Sequence, residues 1–245
     1  MNNTLFIVIP AYNESENIES CVEDWYPVIE KRIKEGFINS RLVIIDDGSK
    51  DNTYEILKEL ANTRPYLTPL TKPNGGHGST VLYGYKYAID NHADYVFQTD
   101  SDGQTNPKEF EEFWNCRDKY DAIIGNRVKR GDGKSRKFVE NTVCFLLRLY
   151  FGVKVEDANA PFRLMKASLL SKYIDRFPKD YNLPNIMFTT FFIYYNEKVK
   201  FIPISFKPRE KGTNTINIKR IIKIGFKALS DFRNFKKDMK NDIKE

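Results

Sequence analysis

Residues 5–14 of the chain, LFIVIPAYNE, join an apolar run to a polar cluster. The run from Leu5 to Ile9 predicts a short buried strand, and Pro10 is expected to end it because proline cannot donate to a sheet ladder. Apolar residues then recur every three to four positions as far as Gly36, which predicts a helix. The chain therefore begins with a strand followed by a helix, the repeating unit of α/β folds.

The same alternation continues along the sequence. Further strands are predicted at residues 42–45, 67–71 and 95–98, with helices at 51–60 and around Val81 to Ala88. Alternating strands and helices predict a parallel, doubly wound sheet. The second half is less regular, with strands predicted at 122–125 and 198–206 and a helix at 139–150.

Composition limits the class of protein. With 245 residues, 41% hydrophobic and 14% aromatic, the chain can form one large domain or two small ones, and general disorder is excluded. The net charge is +6, but residues 219–245 hold 9 basic and 4 acidic residues, so the rest is nearly neutral. We therefore expect no nucleic-acid partner, and an anionic partner for the cationic tail.

The cysteines and the absence of a long apolar segment bear on location. The three cysteines, Cys21, Cys116 and Cys144, have neither disulfide-type nor metal-type spacing, which favours a reducing compartment. The sequence has no run of 18 or more apolar residues and no signal-peptide pattern. We expect a cytoplasmic protein, with any membrane contact peripheral at the inner face.

Polar clusters follow three of the predicted strands. They are residues 10–14 after the first strand, Asp46 and Asp47 after the second, and residues 100–104 after the strand at 95–98. Ligands of open α/β sheets bind beyond the carboxyl ends of the strands. Asp46 or Asp47 alone is equally well explained as a helix N-cap, but three clusters at one sheet edge favour a binding site.

Asp100, Asp102 and Gln104 occupy alternate positions, so in an extended segment their side chains would project from the same face. Oxygen ligands of this kind suit Mg2+ or Mn2+ bridging a substrate's phosphates. The alternatives are an acidic turn without a ligand and a calcium loop, although such a loop requires glycine where Thr105 stands. No Gly-x-Gly-x-x-Gly or Gly-Lys-Ser/Thr motif supports a dinucleotide or P-loop site. The chain also lacks the glycine-rich, basic loop that opens sugar nucleotidyltransferases and the acidic pair that signalling receivers carry at the end of their first strand.

Five ordered motifs carry a resemblance to a known family. They are IPAYNE at 9–14, DDGSxDxT at 46–53, NxGxG at 74–78, DxDxQ at 100–104 and Pro107. This series resembles family 2 glycosyltransferases of the GT-A fold over residues 5–215. It is most similar to the branch containing dolichyl-phosphate mannose synthases and other polyprenyl-phosphate glycosyltransferases.

The resemblance implies roles for the motif residues. Those expected to line the base and ribose of a nucleotide sugar are Pro10, Tyr12, Glu14 and Asp47, with Asp46 supporting their turn. Asp100, Asp102 and Gln104 would bind Mg2+ or Mn2+ and, through it, the diphosphate. Three further residues, Asn74, Gly76 and Gly78, would let the backbone come close to the nucleotide. His77, beside them, could contact a phosphate or donate to the backbone.

The acceptor half matches the family less closely. Residues 157–163 resemble an acceptor segment ending in Gly-Phe-Arg, with Ala160-Pro161 in place of the glycine, and residues 209–214 resemble an Arg-x-x-Gly-x-Ser loop. The candidate catalytic residues are Asp157, Arg163 and Arg209. Asp157 would be the general base for a hydroxyl acceptor, with Glu156 as the fallback. For a lipid phosphate, Asp157 would orient and Arg209 would attract the anion.

Structural alternatives exist for each of these acceptor residues. Asp157 could be a carboxylate held by Arg163, and Arg163 and Arg209 could form surface salt bridges. Arg127 and Arg136 match family positions more weakly.

The C-terminal tail has helical spacing of apolar residues with Lys and Arg between them. Such a helix could lie on an anionic membrane, where each cation contributes about 1 kcal/mol, or dock its apolar stripe on the body. Residues 138–151 could be a second interfacial helix or a core helix. The expected organisation is a GT-A domain at 1–215, with a nucleotide-sugar half at 1–105 and an acceptor half at 106–215, and a basic amphipathic tail at 216–245.

The predicted function is inverting, metal-dependent transfer of a sugar from a nucleotide diphosphate sugar to a polyprenyl phosphate or lipid-linked glycan. The alternative is a non-catalytic, membrane-associated subunit that binds the nucleotide sugar. The base, the sugar and the oligomeric state stay open at this point.

Overall fold

The computed structural model describes residues 4–130, 134–208 and 218–242. Its strands are β1 Leu5–Ala11, β2 Arg41–Asp46, β3 Leu67–Thr71, β4 Tyr95–Gln98, β5 Ala122–Arg130, β6 Arg163–Lys166 and β7 Val199–Phe206. Its α-helices are α1 Ile18–Lys34, α2 Thr53–Ala61, α3 His77–Asp90, α4 Phe110–Cys116, α5 Lys134–Phe151, α6 Ala167–Tyr173, α7 Pro184–Tyr194 and α8 Ile218–Asn241.

The seven strands form one sheet in the order β3-β2-β1-β4-β6-β5-β7. All pairings are parallel except those of β6, which runs antiparallel to both β4 and β5. The expectation of a mostly parallel sheet flanked by helices is therefore confirmed, and only the four-residue strand β6 was not predicted from the sequence. The order places β1 at the centre of the parallel strands, with the ends of β2 and β4 on either side.

Strand β1 is buried along its whole length and continues through Pro10 to Ala11. The predicted end at Pro10 was therefore wrong by one residue. β4 pairs with β1 only as far as Val8, so among the described strands β2 alone pairs with β1 at Pro10. Proline is tolerated at such a position because one side of the strand no longer needs a donor.

Two hydrophobic layers cover the sheet. One contains residues of α1, α2 and α4, and the other contains residues of α3, α5, α6, α7 and α8. Helix α3 comes very close to the sheet at Gly84, where an added Cβ would lie 2.3 Å from Cγ1 of Val8. This close approach fixes the N-terminus of α3 at the carboxyl end of β1.

The apolar stripe of α8 packs on the body of the protein. Phe232 and Phe235 are buried, with ring centroids 5.6 Å from Phe151 and 5.4 Å from Tyr181, respectively. Arg176 pairs with Asp242 at 2.6 Å just beyond the helix. In the described part of α8, the apolar stripe therefore docks on the body of the protein, which is the second of the two predicted possibilities. The apolar spacing of the tail also includes Ile222 and Ile243, whose side chains lie outside the described part of the structure.

Candidate active site

A cavity of about 420 Å³ opens at the carboxyl ends of β1, β2 and β4, beside the first turn of α3. The predicted residues that line it are Pro10, Tyr12, Glu14, Asp47, Asn74, Gly76, Asp100 and Asp102. Parallel neighbouring strands bring these loops to one edge because their carboxyl ends coincide. His77 lines it as well, together with Thr80 and Ser101, to which the sequence assigned no role.

The two consecutive aspartates after β2 make different contacts. Asp46 is buried beneath the cavity, where it accepts hydrogen bonds from the Ser49 N–H at 3.2 Å and the Thr71 hydroxyl at 2.9 Å. Asp47 faces the cavity and accepts from the N–H groups of Gly75 at 2.9 Å and Gly76 at 2.8 Å. Asp46 thus braces the turn, whereas Asp47 fastens the glycine-rich loop to the end of β2.

Lys72 also binds Asp47 in an ion pair that the sequence did not indicate. Burial raises the pKa of Asp47, but the hydrogen bonds from Lys72 and from the Gly75 N–H outweigh it, and the net shift is downward. Asp47 therefore stays ionised at neutral pH. A carboxylate held in this way can still offer its cavity-facing edge to a ribose hydroxyl or a base N–H.

Glycine is required at positions 76 and 78 for different physical reasons. Gly76 has φ +85°, in the left-handed region where glycine has no steric cost, and it lines the cavity. Gly78 does not line it; a Cβ there would lie 2.4 Å from the carbonyl oxygen of Tyr181. Gly78 therefore lets α3 pack on the 181–182 backbone, a different role from the predicted approach to the nucleotide.

Asp100 and Asp102 lie on the cavity wall that the segment after β4 forms. His77 Nε2 lies 3.0 Å from Oδ1 of Asp100. This contact with a carboxylate is neither of the two roles predicted for His77, which were contact with a phosphate and donation to the backbone. Asp102 Oδ1 accepts from the N–H of Gln104 at 3.2 Å. Gln104 itself is buried, does not line the cavity, and donates its side-chain amide to the carbonyl of Lys207 at 2.7 Å. The predicted third ligand is thus turned away.

The residues at this wall fit a magnesium-type cation. Among the described residues, the structure has no group of three or more His, Cys, Asp or Glu side chains arranged to hold a metal. Mg2+ and Mn2+ bind through one or two carboxylates and complete their coordination with substrate phosphates and water. Asp100 and Asp102 supply that pair of carboxylates, beside a cavity large enough for a diphosphate.

The predicted acceptor residue Asp157 lies in a second cluster. Arg127 donates to both of its carboxylate oxygens, from Nε at 2.7 Å and from an Nη at 2.8 Å. Arg127 also lies 3.4 Å from Glu140, whose pKa is raised by burial and by the charge of Asp157. Glu156 bonds to Asn126 beside a cavity of about 190 Å³ that the cluster lines. The prediction that Arg163 holds the carboxylate of Asp157 was therefore wrong, because Arg127 binds that carboxylate instead.

Arg163 is completely buried, so the predicted surface salt bridge is also wrong. Its guanidinium donates to the carbonyl of Ala160 at 2.8 Å and 3.0 Å and to that of Asn185 at 3.2 Å. It ties the acceptor segment to α7, and it lines neither cavity. Arg209 and the side chain of Arg136 lie outside the described residues.

Comparisons with known proteins agree with this geometry. The family model "Glycosyl transferase family 2" matches residues 6–177. The chain is 25% identical over 227 residues to undecaprenyl-phosphate 4-deoxy-4-formamido-L-arabinose transferase of Pectobacterium atrosepticum, covering 91% of the chain and 66% of that protein. It is 26% identical over 186 residues to UDP-N-acetylglucosamine–dolichyl-phosphate N-acetylglucosaminyltransferase of Methanococcus voltae, covering 68% and 70%.

Solved structures show the same fold. Glucosyl-3-phosphoglycerate synthase from Mycobacterium tuberculosis with Mn2+ and UDP-glucose matches with a TM-score of 0.62 at 17% identity, covering 86% of this chain and 72% of that one. S. aureus TarS 1–349 with UDP-GlcNAc matches with a TM-score of 0.59 at 19% identity, covering 86% and 60%. The seven-stranded sheet is thus a GT-A fold, and the chain belongs to glycosyl transferase family 2.

Proposed function

We propose that this chain transfers a sugar, with inversion, from a UDP-sugar to a polyprenyl phosphate in the presence of Mg2+ or Mn2+. The observation that carries the proposal is a single cavity lined by Asp100, Asp102 and the glycine-rich loop that Asp47 anchors. Such a cavity suits a nucleotide on one side and its diphosphate on the other. The chain spans 66% of the length of the first relative, so the full activity is a proposal.

The donor side is assigned as follows. Asp47 would orient the ribose and base, while the loop backbone at Gly76 leaves room for the nucleotide. Asp100 and Asp102 would hold the cation, which supplies positive charge to the diphosphate as the sugar leaves. Uridine is proposed because the Methanococcus relative is named for UDP-N-acetylglucosamine and the two solved structures are described with UDP-sugars.

The acceptor side favours a lipid phosphate. Both relatives are named for a polyprenyl phosphate acceptor. A phosphate monoester is already ionised at neutral pH, so it needs no general base. Asp157, held at two oxygens by Arg127, is placed to orient that arginine instead. Inversion is included because a single displacement by the acceptor needs no covalent intermediate on the enzyme.

Calorimetric titration of UDP and GDP into the purified protein, with Mn2+ and then with chelator, tests the donor site. We expect micromolar binding of UDP that depends on Mn2+, because the two carboxylates alone repel a diphosphate. Preferential binding of GDP would contradict the proposed base. A folded protein that binds neither nucleotide would contradict both the glycosyltransferase and the non-catalytic subunit that binds a nucleotide sugar.

We further propose that the acceptor is reached at a membrane surface through α5. Within the described residues, no helix is long and apolar enough to cross a bilayer. Helix α5 carries Glu140 of the acceptor cluster and also exposes large apolar side chains, with Phe145 64% and Leu149 66% exposed. Such side chains insert into the headgroup boundary of a bilayer.

Sedimentation with vesicles containing anionic lipid tests this surface. The double variant Phe145→Ser, Leu149→Ser should lose most vesicle binding, since two large apolar groups no longer enter the boundary. Ile38→Ser is the matched control, because Ile38 is equally exposed at 66% but lies between α1 and β2. Equal sedimentation of the wild type and the double variant would rule out contact through α5.

A further inference from the structure

A short series of buried polar side chains reaches Asp100 from inside the protein. Tyr85 of α3 and Gln98 at the end of β4 are fully buried, and Asn185 of α7 is 2% exposed. None of the three belongs to a motif that the sequence singled out. Buried polar groups are costly unless they are hydrogen-bonded, so their partners show what they hold in place.

Tyr85 fixes the side-chain amide of Gln98. The Tyr85 hydroxyl donates to Oε1 of Gln98 at 2.9 Å, while Oδ1 of Asn185 lies farther away at 3.4 Å. A hydroxyl has one proton, and the shorter contact to Gln98 is the better hydrogen bond. The carbonyl side of the Gln98 amide is therefore held toward Tyr85.

The opposite side of the same amide faces the cavity wall. Gln98 Nε2 lies 3.5 Å from Oδ1 of Asp100, a long contact whose own energy is small. The orientation of the amide matters more than the strength of this contact. The amide N–H side attracts the carboxylate, whereas a flipped amide would present a carbonyl oxygen that repels it. His77 Nε2 lies 3.0 Å from the same Oδ1, so this oxygen of Asp100 is contacted from two sides, by His77 and by Gln98.

We propose that Tyr85 and Gln98 are positioning residues for Asp100, holding its carboxylate in the orientation that accepts the divalent cation. This inference rests on the proposed function, in which Asp100 binds that cation. Groups behind a metal ligand orient it, and their loss typically costs 10- to 100-fold in metal affinity. In Tyr85→Phe, the buried Oε1 of Gln98 loses its donor and the amide no longer has a preferred orientation.

The test is a titration of Mn2+ into the protein in the presence of UDP, with free Mn2+ measured by electron paramagnetic resonance. Tyr85→Phe should bind Mn2+ about tenfold more weakly than the wild type. UDP binding in chelator should not change, since the hydroxyl does not line the cavity. Tyr26→Phe is the matched control, because it removes a buried hydroxyl on α1 that accepts from the N–H of Tyr66 at 3.4 Å.

A double-mutant cycle separates positioning from a general loss of stability. Gln98→Leu should weaken Mn2+ binding at least as much as Tyr85→Phe. If Tyr85 acts through Gln98, the double variant should bind Mn2+ no more than about twofold more weakly than Gln98→Leu alone, because the second change has nothing left to orient. Independent effects would instead multiply.

The outcomes distinguish this inference from the proposed function. Wild-type Mn2+ affinity in either Tyr85→Phe or Gln98→Leu would overturn the positioning role and leave the glycosyltransferase proposal intact. Multiplying effects in the double variant would overturn the route through Gln98. A wild-type protein that binds UDP without any dependence on Mn2+ would overturn the metal site and the positioning role together.

Discussion

Replacing Asp102 with alanine is expected to abolish Mn2+-dependent binding of UDP, with a loss of affinity on the order of 100-fold or more. The reason is the small number of protein ligands, because the proposed cation site takes its carboxylates from Asp100 and Asp102 alone. Removing one leaves a single carboxylate for a cation that does not readily lose its water. The measurement is calorimetric titration of UDP with Mn2+ and with chelator.

The control for Asp102→Ala is Asp90→Ala, which removes an exposed carboxylate at the opposite end of α3 from the cavity. Binding of UDP in chelator should be no weaker in Asp102→Ala than in Asp90→Ala, since Asp102→Ala removes one of the two carboxylates that repel the diphosphate. Full Mn2+-dependent binding by Asp102→Ala would overturn the metal assignment, whatever the fate of the donor pocket.

The donor half of the site could be predicted because it depends on strand ends. Strands β1, β2 and β4 are short apolar runs, and their parallel pairing brings Tyr12, Asp47 and Asp100 to one cavity. Gln104 was misplaced because equal parity puts side chains on one face only in an extended segment. Gly103 has φ +70°, so the chain turns there and sends Gln104 toward Lys207.

The acceptor half depends on contacts that no local pattern reveals. Arg127 meets Asp157 across 30 positions, and Glu140 joins them from a helix whose periodicity gives no sign of that contact. Strand β6 has four residues, and α7 is apolar on all sides, so neither shows a clear period. The choice between two roles for the α8 stripe likewise needed its aromatic contacts with Phe151 and Tyr181.

Asp157 offers the sharpest test of the acceptor chemistry, because Asp157→Ala and Asp157→Asn should behave differently. In Asp157→Ala, Arg127 loses the carboxylate that binds it at two points, and its guanidinium is no longer held toward the acceptor. Transfer from UDP-sugar to polyprenyl phosphate should fall on the order of 100-fold, as expected for a misplaced substrate-orienting group. UDP binding, measured by calorimetry, should stay at the wild-type value.

Asp157→Asn should keep transfer within about tenfold of the wild type. Its amide oxygen can still accept from Arg127, and loss of the Asp157 charge removes one cause of the raised pKa of Glu140. Glu140, 3.4 Å from Arg127, then ionises more readily in both variants, so the expected difference between them comes from the asparagine oxygen, which alanine lacks. An asparagine cannot take a proton, so a general base would lose its function in both variants alike. Equal and severe losses would therefore make Asp157 the base and a hydroxyl group the acceptor, in place of the phosphate proposed above.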